Sequence, residues 1–233
     1  MIHLLGIAAA ALTGFPAQAQ EPPTSAGETW REGVAVERIE PPEHDFYSKR
    51  VLYRDIPIEA HADVADEALF VAGDRLDRML RHAPRLVENL VAEGAELHVI
   101  GRDQQTSDLP EHRHWKGRPY DGDMTIDERT RGVGGIHASC GEENLLGLEG
   151  DRYWDRDICT HEFAHTVHRY GLSDDVQAKV LARFRASRAA GLWEDAYAGT
   201  NDDEYFAEPT YHIVSSAGTT GRSSRARSRG RSG

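Results

Sequence analysis

Two histidines four residues apart, with a glutamate beside the first, are the residues of this chain best suited to chemistry. They are His161, Glu162 and His165, in the run His-Glu-Phe-Ala-His. On a helix, positions four apart lie one above the other, so both imidazoles can bind one metal ion. Neutral imidazole suits Zn²⁺, and a carboxylate next to the ion can take the proton from an attacking water. The spacing therefore predicts a hydrolytic zinc site.

A site of this kind usually takes a third protein ligand and keeps one position open for water. The run Glu-Tyr-Phe-Ala-Glu supplies the candidates, because Glu204 and Glu208 are also four apart. We expect Glu204 to complete a His₂Glu site and Glu208 to hydrogen-bond the outer nitrogen of a zinc-binding histidine. The neighbouring acids Asp202 and Asp203 are expected on a solvated face.

The two motifs together resemble the gluzincin branch of zinc metallopeptidases, most of all the catalytic domain of anthrax lethal factor and its secreted relatives. The resemblance covers about residues 132–208. It implies an α+β, zincin-like domain with a small mixed sheet, an HExxH active-site helix and a following helical part. It also implies that Glu204 is the third ligand and that Tyr197 assists at the substrate oxyanion. The metzincin pattern does not fit, since it needs glycine at His168 and histidine at Gly171.

The elements that position these residues follow from periodicity. The active-site helix is expected over Asp157–Gly171, with its packing face formed by Phe163, Val167 and Tyr170. Other expected elements are a strand over 51–58, a helix over 64–80 capped by Asp63, a helix from Pro84 to Gly94, a strand over 97–100 and a helix from Ser173 to Gly191.

Two further segments bear on the site. The glycines of residues 132–137 permit close backbone approach, either at a sheet edge where a peptide could add as a strand or at a plain turn. Pro209 directly follows Glu208, and we expect it to strain or stop the helix there. An interruption of the helix at Pro209 would lie close to the candidate third ligand, Glu204.

The chain divides by composition into four parts. Residues 1–19 are expected to be a signal peptide cleaved after Ala19, which predicts a secreted or periplasmic protein. Its apolar run, Leu4 to Leu12, is too short to span a bilayer, which takes about 20 residues. Residues 20–50 are expected to form a leader and residues 51–214 the catalytic domain. Residues 215–233, rich in Arg, Ser and Gly, are expected to be disordered.

The formal net charge is −12, although five arginines lie in the last residues of the chain. An acidic body repels nucleic acid and anionic membranes. We therefore expect a peptide or protein substrate, no nucleic-acid partner, no stable membrane insertion and a monomer. The arginine-rich end acting as a basic arm on polyanions is the alternative.

Two cysteines occur, Cys140 and Cys159. In an exported protein such a pair can form a disulfide, which would tie the segment before the active-site helix to its first turn. Two buried thiols are the alternative.

The sequence thus predicts a secreted metalloendopeptidase that binds Zn²⁺. Its metal ligands are His161, His165 and Glu204, its general base is Glu162, and Tyr197 acts at the oxyanion. A zinc-binding interaction module without catalysis is the alternative, and it predicts metal without hydrolysis that depends on Glu162.

Overall fold

A six-stranded mixed sheet is the centre of the fold in the computed structural model, which describes residues 30–154 and 156–217. Its strands, in chain order, are β1 (Glu37–Glu43), β2 (Tyr47–Tyr53), β3 (Ile56–Ala60), β4 (Glu96–Ile100), β7 (Gly132–Val133) and β8 (His137–Gly141), and β5 (Pro119–Asp121) and β6 (Met124–Thr125) form a separate hairpin. The spatial order is β1-β2-β3-β4-β8-β7. The first three strands are antiparallel, β3, β4 and β8 are parallel, and β7 pairs antiparallel with β8 at one edge.

The helices lie between and after the strands in chain order. They are α1 (Asp66–Leu80), α2 (Pro84–Glu93), α3 (Ile126–Arg129), α4 (Glu142–Leu146), α5 (Ile158–Thr166), α6 (Asp174–Ala189) and α7 (Asp202–Ala217). Two 3₁₀ helices, Thr106–Asp108 and Pro110–Trp115, precede the hairpin, and a third, Tyr197–Gly199, precedes α7. Helices and a small mixed sheet occur together, so the predicted α+β class is confirmed.

The hydrophobic core lies between the sheet and two of the helices. Helix α1 packs on β2 and β3, while α5 packs on β8 and on α1. Fully buried side chains from both sides fill this layer, among them Ile58, Leu69, Leu76, Val99 and Phe163. Of the predicted packing face, Phe163 and Val167 are buried, whereas Tyr170 is half-buried and borders the same cleft as His161 and His165. One face of α5 therefore packs and the other borders a cleft.

The segment 51–58 is not one strand, as predicted, but the hairpin of β2 and β3. Arg54 and Asp55 have φ values of 48° and 69°, the left-handed conformation of a tight turn. The sheet also starts before residue 51, since β1 and most of β2 belong to the segment predicted to be a leader. Helix α1 begins at Asp66 after Ala65, so Asp63 is not its cap.

Pro209 does not stop α7, contrary to the expectation. Proline removes one backbone donor and disturbs the preceding turn. The helix nevertheless continues to Ala217, because apolar side chains on both sides of the proline, Ala207 and Tyr211, are buried against the body. The predicted tail therefore starts inside α7, and its residues from 218 onward lie outside the described part of the chain, as does the predicted signal peptide.

None of the helices within residues 30–154 and 156–217 is long and apolar enough to cross a membrane.

Candidate active site

Helix α5 carries the first motif and is fixed at its start by side chains. Asp157 is the N-cap and accepts a hydrogen bond from the Thr160 backbone N–H at 3.1 Å. Asn144 accepts another from the Ile158 N–H at 3.0 Å, and Arg75 pairs with Asp157 at 2.7 Å. These contacts satisfy N–H groups that a helix leaves free at its first turn. The turn that bears His161 is thereby held in place.

Helix α7 brings Glu204 to the two histidines. The Nε2 atoms of His161 and His165 are 3.2 Å apart, and the Glu204 carboxylate lies 3.4 Å from the first and 3.7 Å from the second. Asn201 accepts a hydrogen bond from the Glu204 N–H at 2.8 Å and so caps this end of the helix. Three potential ligand atoms from two distant segments therefore converge on one point.

A divalent cation fits this point. Glu204 Oε2 is buried and has no hydrogen-bond partner, a costly condition that a cation between the three side chains would relieve. For His161 the lowering effect of burial is outweighed by Glu204, Glu162 and Glu208, which raise its pKa. For His165 burial outweighs the opposing charge of Glu204 and lowers the pKa to about 4. That shift keeps His165 neutral, which is the form that ligates metal. Two imidazoles and a carboxylate are a donor set that suits Zn²⁺.

Glu162 borders the cleft beside the ligands. Burial raises its pKa to about 7, partly opposed by the nearby charge of His161 and by a hydrogen bond from the Gly134 backbone. A carboxylate whose pKa lies near neutrality can both accept and release a proton. Glu162 therefore lies at the cleft, next to the candidate ligands, with a pKa that suits proton transfer.

Glu208 lies one turn after Glu204, on the outer side of His161. Its Oε1 is 3.3 Å from His161 Nδ1 and accepts a hydrogen bond from Arg156 Nη2 at 2.5 Å. The expected hydrogen bond is not formed, because His161 Nδ1 is buried without a hydrogen-bond partner, but Glu208 lies within ion-pair distance of it, where a carboxylate can orient a metal-binding imidazole. Arg156 was not foreseen, since an arginine in a loop has no local signature for such a contact.

Tyr197 stands on the other side of Glu204, in the 3₁₀ helix that precedes α7. About half of its side chain is exposed, and it borders the same cleft as Glu162. Burial and the neighbouring Glu204 carboxylate raise its pKa, while Arg129 opposes the shift. The phenol thus lies between an acid on one side and a guanidinium on the other.

The cleft has a volume of about 660 Å³. It runs from the β5–β6 hairpin to the candidate metal site formed by His161, His165 and Glu204, called the metal point below. Edge strand β7 and the glycines after it form one wall. A Cβ on Gly134 would lie 2.8 Å from His165 Cβ, so only glycine allows this close approach. The glycine run thus lies at a sheet edge, the first of the two alternatives drawn from the sequence.

Asp203 was expected to be solvated, and this is wrong. Its carboxylate accepts a hydrogen bond from His168 at 2.8 Å and pairs with Arg169. Both partners lie in the π-helical segment Val167–Gly171 that directly continues α5. Asp203 therefore joins the helix that bears Glu204 to the segment that follows His165.

The acids of α4 tie together segments that are distant in sequence. Glu143 forms a buried two-point ion pair with Arg131 at 2.8 Å, next to β7. Glu142 accepts hydrogen bonds from the backbone N–H groups of Ala65 and Arg102. Because these partners are far apart in sequence, no local pattern could have identified them.

Cys140 and Cys159 are both buried, and both are free thiols. They are close enough for a hydrogen bond between them, and burial together with this contact raises the pKa of Cys140 well above its usual value. The second alternative from the sequence, two buried thiols, describes this arrangement.

No protein-family model and no curated protein matches this chain. Among solved structures, the chain is similar to the PRO-PRO endopeptidase PPEP-2 from Paenibacillus alvei, with a TM-score of 0.47 and 19% sequence identity. The similarity covers 66% of this chain and 83% of that chain.

Proposed function

We propose that this chain is a secreted, zinc-dependent metalloendopeptidase. The observation that carries the proposal is the convergence of His161, His165 and Glu204 on one point, with Glu162 beside them at the wall of an open cleft. Residue types, neutral His165 and the unpartnered Glu204 oxygen all support a bound cation at that point. Bound there, Zn²⁺ would activate water and polarise the carbonyl of the substrate.

Residues of the chain perform the proton transfers, stabilise the oxyanion and orient a metal ligand. Glu162 takes a proton from the attacking water and delivers it to the leaving amine, so that one peptide bond is replaced by a carboxylate and an amine. Tyr197 donates its hydroxyl hydrogen to the oxyanion as charge develops there. Glu208 holds the ring of His161 through Nδ1.

The cleft suits an extended peptide. Strand β7 pairs with β8 on one side only, so no further strand covers its other edge. The N–H and C=O groups of Gly132 bond the Thr130 hydroxyl, which an added peptide strand would replace. A peptide can add to such an edge as a further strand. The lack of a side chain at Gly134 keeps the backbone near His165, which would bring the added strand over the reacting groups.

The first experiment measures zinc content and peptide cleavage for the wild type, Glu204→Ala and Glu162→Gln. We expect about one zinc per chain in the wild type, and loss or sharp weakening in Glu204→Ala, because a three-ligand site loses its carboxylate. Glu162→Gln is expected to keep zinc and to lose cleavage, while Glu93→Gln, an exposed control on α2, keeps both.

Two outcomes would contradict the proposal. A wild type that holds no zinc after reconstitution would show that the site does not assemble. A wild type that holds zinc but cleaves no peptide from a diverse library would favour the alternative of a zinc-binding interaction module.

A further inference from the structure

Arg129, at the end of α3, is a cleft residue that neither motif includes. It lines the same cavity as Glu162 and Tyr197, across from α5. Its Nε donates a hydrogen bond to Asp121 Oδ2 of the β5–β6 hairpin at 2.7 Å. The guanidinium also interacts with the phenol of Tyr197 on the same cleft, and Asp121 first and Tyr197 second raise the pKa of Arg129. The guanidinium thus bridges the hairpin and the candidate oxyanion residue.

Hydrogen bonds hold the backbone of α3, the short helix that carries Arg129. Helix α3 is capped by Thr125, whose hydroxyl accepts the Glu128 N–H while the Glu128 carboxylate accepts the Thr125 N–H. Asp127 accepts hydrogen bonds from the backbone and hydroxyl of Ser107 at 2.8 and 2.7 Å. A short helix held at its first turn in this way positions the side chain at its end, and catalytic groups need such support.

The charge of Arg129 also suits its position. A guanidinium is charged at every physiological pH and offers several donors in one plane. Asp121 binds it through Nε only, on the side of the hairpin. During hydrolysis a negative charge develops beside Tyr197, and a fixed positive charge at that place stabilises the transition state more than the substrate.

We propose that Arg129 is a positioning residue that holds the Tyr197 hydroxyl toward the metal point and adds positive charge where the oxyanion forms. This inference rests on the proposed peptidase function. It assigns the hairpin a part in catalysis through Asp121, which fixes the guanidinium. The substitution Arg129→Gln removes the charge and the contact with Tyr197 together.

The test is a double-mutant cycle on one peptide that the wild type cleaves. Wild type, Arg129→Gln, Tyr197→Phe and the double variant are compared for kcat, KM and zinc content. Binding of a phosphonate analogue of the same peptide, whose tetrahedral anion mimics the oxyanion, is measured by calorimetry as a second readout. Arg118→Gln, an exposed arginine just before β5, is the control for loss of charge alone.

We expect Arg129→Gln to lower kcat and phosphonate affinity by about tenfold or more, with zinc content unchanged and KM altered much less. In the Tyr197→Phe background the same substitution is expected to lower kcat and phosphonate affinity by less than about threefold, because the effects of substituting residues that act as a unit are not additive. Arg118→Gln is expected to behave as the wild type. Should Arg129→Gln fail to fold by circular dichroism, Arg129→Lys takes its place and is expected to lower kcat through loss of the two-sided contact.

Equal losses of kcat on Arg129→Gln in the wild-type and Tyr197→Phe backgrounds would overturn the inference. Full activity of Arg129→Gln, or an effect on KM alone, would also overturn it. Each of these results leaves the proposed peptidase function standing. A zinc-loaded wild type that cleaves no peptide and does not bind phosphonate peptides would overturn both.

Discussion

At the scale of single residues, the candidate metal site of His161, His165 and Glu204 depends on side chains that are not among its three candidate ligands. Asp203 precedes Glu204 and pairs with His168 and Arg169, while Arg156 holds Glu208 one turn later. The His168 ring also stacks on Phe206, with ring centroids 4.9 Å apart. These contacts hold α7 at the residue before Glu204 and again within the turn that follows it. Such outer partners set the geometry on which metal affinity depends.

The residue-scale prediction concerns Asp203. In Asp203→Ala the first turn of α7 loses its link to the segment after His165, so zinc affinity is expected to fall by about 10–100-fold. Competition with a chromophoric chelator measures the affinity. Asp174→Ala, an exposed acid in the first turn of α6, is the matched control and is expected to bind zinc as the wild type does. Unchanged affinity in Asp203→Ala would show that Glu204 is held by other contacts.

At the scale of elements, a buried ionic cluster joins β4 to the 3₁₀ helix Pro110–Trp115. His98 is almost fully buried and contacts Glu96 at 2.9 Å and Glu111 at 2.6 Å, with the Tyr47 hydroxyl 2.8 Å from its Nδ1. Burial alone would lower the pKa of His98, but the two carboxylates outweigh it and raise the pKa to about 9. Conversely, His98 outweighs the effect of burial on Glu111 and lowers its pKa to about 2.

These shifts predict how stability depends on pH. The pKa of His98 is higher in the folded state, at about 9, than its ordinary value of 6.5, so its stabilising contribution is complete below pH 6.5 and is lost as the pH rises through 9. Urea unfolding between pH 6 and about 9.5 is expected to show this fall in the wild type. In His98→Gln the fall is expected to be shallower, whereas His82→Gln, at an exposed histidine, should keep it. Parallel curves for wild type and His98→Gln would refute this account.

At the scale of the whole molecule, the start of the described chain packs on the side of α1. Trp30 lies over Gly73, and its Nε1 donates a hydrogen bond to Asp74 at 2.7 Å. Arg31 also pairs with Asp74. A Cβ at Gly73 would lie 2.2 Å from the indole ring, so the glycine is what admits the tryptophan. The contact belongs to the packing of the molecule and not to the metal point.

The prediction at this scale separates stability from function. Gly73→Ala must displace the indole, and such overpacking costs about 1–3 kcal/mol of unfolding free energy. Chemical denaturation measures that loss. Zinc stoichiometry is expected to stay at the wild-type value, because the substitution removes no metal ligand and none of the outer partners described above. A loss of zinc with little change in stability would contradict this separation.

What the sequence alone determined was local in character. The spacing within each motif placed His161 and His165 on one helix face, and the pattern of apolar residues identified the packing face of that helix. Helix α2 agreed in detail, with Pro84 at its start and Gly94 in the left-handed conformation at its end. Periods and caps reflect rules that act within a few residues. They could therefore be recognised without the fold.

Only the tertiary structure decided how distant segments meet. It placed the Glu204 carboxylate 3.4 Å from His161, paired Asp203 with Arg169, and brought Arg129 and Tyr197 to the same cleft. In the structure α7 also continues past Pro209, because the buried contacts of the helix outweigh the unfavourable effect of proline inside it. Pairings of this kind depend on which surfaces pack together along the whole chain. Local propensity does not encode them, and so they had to be observed.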